Sequence, residues 1–156
     1  MILDGHTHIF PEEVIRQRED FFNDEPAFRL LYDSPKSKMV GPEELVAAMD
    51  EEGVEAAVVL GFPWRRERLW RRHHEVILEA QRRFPQHLVG FCAVHPLAPG
   101  APREVERCLA AGFRGLGKSN GGGGAAFIPA GGIYRDFPDP PNYPATIGNV
   151  GVARRV

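Results

Sequence analysis

Five consecutive apolar residues, Ala56-Ala57-Val58-Val59-Leu60, leave this chain few ways to fold. The run is short and shows no polar alternation, so it suits a strand buried on both faces, as in a parallel sheet covered by helices. Helical patterns flank it on both sides. Gly41-Pro42-Glu43-Glu44 places proline and acids in a first turn, Leu45, Ala48 and Met49 recur at helical spacing, and Gly53 supplies the stop. Beyond Gly61-Phe62-Pro63, a further helix is predicted from Arg66 to Phe84 on Leu69, His73, Ile77, Ala80 and Phe84.

The same alternation extends to the rest of the first 116 residues. Ile2-Leu3-Asp4 begins a strand and Pro11-Glu12-Glu13 opens a helix; Leu88 to Val94 is the third strand, Pro102 to Ala111 the next helix, and Phe113-Arg114-Gly115-Leu116 starts a fourth strand. Strand and helix repeated four times imply parallel strands joined by crossovers. Helices on both faces would give a doubly wound sheet; helices on one face would give part of a (β/α)8 TIM barrel, which needs about 250 residues when complete. In 156 residues, half a barrel fits. The chain divides at residue 116: the last 40 residues hold nine Gly and five Pro and carry +2, against −4 before them. Residues 117–156 therefore read as an irregular or disordered tail.

Net charge is −2, which gives no global positive field for nucleic acid or an anionic membrane. No apolar stretch approaches about 18 residues and no basic leader precedes one, so a cytoplasmic protein is expected. Cys92 and Cys108 follow neither a CxxC nor a zinc-finger spacing and read as small buried apolar groups.

Asp4-Gly5-His6-Thr7-His8 carries the most chemistry. Strand side chains alternate, so His6 and His8 project to one side, where two imidazoles can converge on a metal ion. Asp4 shares their parity and can act as a third ligand, as an orienter of an imidazole or as a strand-end cap.

That pentapeptide, with Glu43 to Asp50, Gly53 to Leu60, Phe84 to Phe91 and Ala111 to Leu116, resembles the amidohydrolase-related metal-dependent enzymes, the group of aminocarboxymuconate-semialdehyde decarboxylase. The resemblance covers residues 1–116, under half of a typical member. It implies a metal-dependent (β/α)8 barrel, a divalent ion, zinc, held by His6 and His8, and hydrolysis or decarboxylation of a small carboxylate, amide or lactone. Members draw further histidines and an aspartate from later strands. Past Leu116 this sequence has no histidine. Three protein ligands are usual for a catalytic zinc, so a truncated, weak or inactive enzyme is expected. The alternative is a non-catalytic half-barrel that self-associates as a homodimer through open edges at its first and fourth strands.

Other motifs weigh less. Gly112 to Ser119 matches the GxxxxGK[ST] phosphate loop, but a helix precedes it and Asn120 with four glycines follows, where a strand and a helix are required. A one-base reading-frame slip near Gly117-Lys118-Ser119-Asn120-Gly121 would explain both the accidental motif and the compositional break. His74-Glu75-Val76-Ile77-Leu78 lacks the second histidine of HExxH. Arg65, Arg66, Arg68, Arg71 and Arg72 around Trp64 and Trp70 read as a salt-bridged solvent face with arginine stems over tryptophan. His95, at the end of the third strand before Pro96, reads as a loop histidine, the alternative being a position facing the mouth of the barrel.

Overall fold

The computed structural model describes residues 2–95, 98–119 and 125–129. Strand β1 (Leu3–Thr7) leads to a short helix α1 (Glu12–Arg16), a 3-10 turn (Arg18–Phe21) and α2 (Pro26–Tyr32). Then α3 (Pro42–Glu52), β2 (Ala56–Leu60), α4 (Glu67–Arg83), β3 (Leu88–Cys92), α5 (Ala101–Ala110) and β4 (Gly115–Ser119) follow in strict alternation, before β5 (Ala125–Pro129).

The sheet order is β1-β2-β3-β4-β5, with the first four strands parallel. Sequential order decides between the two closures. A doubly wound sheet reverses its strand order at a switch point, whereas a barrel adds each strand beside the last. Four parallel strands in chain order are half of a barrel.

β5 pairs antiparallel with β4, from Gly115↔Pro129 to Ser119↔Ala125. Two consequences correct the sequence reading. The outer edge of β4, expected to be open, is occupied, and the division placed at residue 116 falls inside β4. Residues 130–156, most of the expected irregular tail, lie outside the described residues.

Local sequence explains the element ends. Gly53 adopts φ 69°, the left-handed region that β-carbons disfavour, and Val54 N–H returns to the Met49 carbonyl at 2.8 Å. The first helix is much shorter than its pattern suggests, because Gln17 leaves the helical region at φ −128°. The 3-10 turn and α2 then fold the intervening stretch under the sheet's end. That stretch carries Phe21, Phe22, Phe28 and Tyr32, which pack with Phe10, Phe62 and Trp64; Phe28 and Trp64 ring centres lie 4.7 Å apart and Phe62 and Trp64 4.8 Å.

Trp64 and Trp70 are both fully buried. The expectation of arginine stems covering tryptophan on a solvent face is therefore wrong about the tryptophans. The arginines do pair: Arg66 with Asp24 at 3.0 Å, Arg72 with Glu13 at 2.7 Å, and Arg71 with Glu104 at 3.6 Å.

Gly90 in β3 lies under the Phe113 ring: a β-carbon there would sit 2.6 Å from Phe113 Cε1. Gln81 locks the same junction, its side-chain oxygen accepting from Gly90 N–H at 2.6 Å and its nitrogen donating to the Gly112 carbonyl at 3.0 Å. Gly90→Ala is expected to lower unfolding free energy by about 1–3 kcal/mol, the range for overpacking a core, as read from urea unfolding.

Candidate functional site

His6 is the penultimate residue of β1 and His8 follows its end. Alternation along the strand puts both imidazoles on one side, and their Nε2 atoms stand 3.0 Å apart. The rings meet edge to face, with centroids 4.9 Å apart and an interplanar angle of 74°. His6 is exposed and His8 half-buried.

The second nitrogen of His8 decides what the first can do. Nδ1 lies 2.9 Å from the carbonyl oxygen of Leu60, at the end of β2. An oxygen there accepts, so Nδ1 carries the proton and Nε2 presents a lone pair. Burial also pushes the His8 pKa down, against the opposing pull of the Leu60 carbonyl, which favours the neutral ring. His8 is thus held as an uncharged donor whose free nitrogen faces His6.

Asp4 is placed differently. Its Oδ1 accepts the backbone N–H of His6 at 2.9 Å, a local turn that fixes the strand's path. That contact is the one a strand-end cap makes, and it uses one of the two carboxylate oxygens. Its charge still reaches His8, whose pKa it works to raise.

Beneath the pair lies a residue whose role sequence reasoning missed. His73 on α4 is fully buried, and its Nδ1 accepts both the Phe62 N–H at 3.2 Å and the Trp64 indole N–H at 3.1 Å. Its Nε2 donates to the Ile9 carbonyl at 2.5 Å. One neutral imidazole therefore ties the segment after β1 to the segment after β2, and burial lowers its pKa to about 3. The sequence did place His73 on the buried face of a helix, but nothing local revealed its three partners.

Glu25 performs a similar service for the start of α4. It is 2% exposed, and its carboxylate accepts from Arg65 N–H at 2.7 Å and Arg66 N–H at 3.2 Å. Arg66, at the helix N-cap, brings no capping side chain of its own. The remaining histidines separate. His95 lies three residues beyond β3, half-buried, its carbonyl accepting from Ala98 N–H at 3.0 Å. His74 enters the core, where its Nδ1 meets Glu104 Oε1 at 2.8 Å and its Nε2 accepts the Ala93 N–H at 3.0 Å.

The phosphate-loop match does not have the required geometry. Gly115–Ser119 is strand, and Lys118 and Ser119 are paired in the ladder to Ala126 and Ala125 rather than forming a loop before a helix. A cleft of about 510 Å³ between α1, the start of α3 and α4 is lined by Glu12, Glu44, Glu79, Arg72 and Arg83 among others, away from the histidine pair.

No family model matches the sequence, and no curated protein matches it. Solved structures do. 5-Carboxyvanillate decarboxylase from Novosphingobium aromaticivorans, in a mutant form with bound manganese and 3-methoxy-4-hydroxy-5-nitrobenzoic acid, superposes with TM-score 0.61 at 19% identity over 74% of this chain. The likeness is one of fold. A second structure of that enzyme gives 0.57 at 19% identity, and 2,6-dihydroxybenzoate decarboxylase complexed with 2,6-dihydroxybenzoate gives 0.50 at 21%, each again over 74% of this chain. The chain spans 41%, 40% and 38% of those three chains, so it corresponds to well under half of each.

Removing the His73 imidazole would orphan three buried polar groups. His73→Ala is expected to cost about 3–5 kcal/mol in urea unfolding, from lost packing and unsatisfied donors together. The folded-state pKa of about 3 lies below the unfolded value of 6.5, so between those values the unfolded chain binds more protons. His73 therefore contributes stability that is complete above pH 6.5 and is lost as the pH falls towards 3, with a slope approaching about 1.4 kcal/mol per pH unit. Urea midpoints measured from pH 7 to pH 4 should fall more steeply for the unaltered chain than for His73→Gln.

Proposed function

We propose that this chain supplies the first-strand metal ligands of a metal-dependent hydrolase or decarboxylase that acts on a small carboxylate, amide or lactone. The observation that carries this reading is the hydrogen bond from His8 Nδ1 to the Leu60 carbonyl, which leaves His8 Nε2 unprotonated as an acceptor 3.0 Å from His6 Nε2, a place an ion would take from the His6 proton. Two imidazole nitrogens bound to one ion at about 2.0–2.1 Å in tetrahedral geometry stand about 3.4 Å apart, so the pair fits with a small outward movement. The fold neighbours are decarboxylases, one of them crystallised with manganese. The divalent ion is taken as zinc from the sequence resemblance; manganese is the competing choice. Such an ion, when bound, supplies Lewis acidity that polarises a carboxylate, a carbonyl or water.

The residues of this chain do the holding. His8 is oriented by a main-chain carbonyl, His6 by the turn that Asp4 makes with its own backbone, and both by the His73 tie beneath them. Two histidine donors make a weak centre when three are usual. Turnover by the chain alone is therefore expected to be weak or nil.

Manganese(II) favours hard donors over thiolate, so its binding does not draw on the cysteines, and the comparison with a variant lacking both imidazoles separates this pair from surface carboxylates. Titration followed by electron paramagnetic resonance is expected to show binding that disappears in a His6→Ala, His8→Ala double variant. Equal binding by the double variant would refute the reading.

A second reading rests on a separate observation. Among the described residues β1 is paired on one side only, by β2, and Ile2 and Leu3 are 55% and 42% exposed. We propose that two copies associate along this edge as a homodimer. Light scattering is expected to give twice the chain mass, reverting to a single chain mass for Leu3→Lys.

A further inference from the structure

At the residue after His73 on α4, three elements bring metal-binding atoms together. His74 on α4, Cys92 at the end of β3 and Cys108 on α5 each offer one donor, and those three atoms lie within 4.8 Å of one another. Among the described residues they form the group of three histidine, cysteine or carboxylate donors at that closeness. Glu104, one turn before Cys108, joins them through Oε1. All four residues are fully buried.

The separations can be compared with those an ion would impose. Zinc–sulfur bonds of about 2.3 Å and zinc–nitrogen or zinc–oxygen bonds of about 2.0–2.2 Å at tetrahedral angles put sulfur about 3.6 Å from nitrogen or oxygen. Cys108 Sγ stands 3.4 Å from His74 Nδ1 and 3.5 Å from Glu104 Oε1. His74 Nδ1 and Glu104 Oε1, at 2.8 Å, share a hydrogen bond and would have to part to about 3.4 Å once the proton between them is replaced by the ion.

We propose that His74, Cys92, Cys108 and Glu104 form a buried, structural site for zinc or a similar thiophilic divalent cation, independent of the His6 and His8 pair. Softness favours this assignment, because thiolate with imidazole selects zinc over magnesium, calcium or manganese.

Charge and protons balance. The two thiols release their protons to solvent and become thiolates, which offset the ion's two positive charges. Glu104 keeps its own counterion, since Arg107 Nε donates to Oε2 at 2.8 Å; Arg107 Nη2 also donates to Oε1 at 2.6 Å, and that oxygen has to exchange this contact for the ion. The imidazole proton moves from Nδ1 to Nε2, where the Ala93 carbonyl lies 3.0 Å away and accepts it, and the Ala93 N–H gives up Nε2 as its acceptor. The neighbouring Cys92 raises the Cys108 pKa and burial adds to it, so without an ion Cys108 is a neutral thiol. Since the cluster has no exposure, loading takes place as the chain folds around the ion.

Cobalt(II) tests this directly, because it occupies tetrahedral zinc sites and reports thiolate ligation by a charge-transfer absorption. The full chain is unfolded in reductant and chelator, then refolded with one equivalent of cobalt(II). The expected result is a thiolate charge-transfer band with intense ligand-field bands, bleached by one equivalent of zinc, unchanged in the His6→Ala, His8→Ala variant and abolished in Cys92→Ala, Cys108→Ala. Absence of the band from the unaltered, refolded chain would overturn the proposal whether or not any variant folds. So would a band of equal strength in the double cysteine variant. The manganese titration of the histidine pair succeeds or fails independently of both outcomes.

Discussion

A single neutral imidazole sets the arrangement of this half-barrel's working end. His73 accepts two N–H groups from the segment after β2 and donates to a carbonyl from the segment after β1. Strands in a parallel sheet are spaced by their own ladder, but the connections leaving their ends are not, and here a side chain from the intervening helix joins them. An uncharged ring is required, because a buried imidazolium could not accept from both Phe62 and Trp64. The aromatic cluster of Phe10, Phe28, Phe62 and Trp64 excludes water around that ring and so keeps its pKa low.

The parallel half-barrel was readable because its signals are local. An apolar run with no alternation, proline and acids opening a helix, and glycine closing it each identify one element without reference to any other. His6 and His8 were readable for the same reason, since strand periodicity alone puts them on one side. Elements that depend on distant partners were not readable. The 3-10 turn and α2 lack a strong amphipathic pattern, and they exist because Phe21, Phe22, Phe28 and Tyr32 find aromatic partners from positions 10, 62 and 64. Trp64 and Trp70 lie among arginines in sequence but inside the core in space, while the arginines pair with Asp24, Glu13 and Glu104.

Candidate chemistry divides along the same line. Asp4 has the right parity for a ligand, and in the fold its Oδ1 accepts a main-chain N–H two residues on. His74 failed a sequence motif that requires a partner on its own helix; its neighbours in the fold instead come from β3 and α5, eighteen and thirty-four residues away in the chain. Cysteine spacing was equally uninformative, because Cys92 and Cys108 belong to consecutive elements whose packing, and not whose separation along the chain, brings the sulfurs together. His73 and His74 act through such long-range contacts, which explains why a local motif found one pair and missed these two.

The partner that orients His8 is a main-chain carbonyl, not a side chain. Residue 60 can therefore drift among apolar side chains without disturbing the ring, provided the strand keeps its register. The genetic information for the orientation is spread over the whole β1–β2 ladder, so it is robust to point substitution and vulnerable to insertion or deletion. A single-residue shift in either strand would turn a different atom towards the imidazole and exchange its tautomer at a stroke.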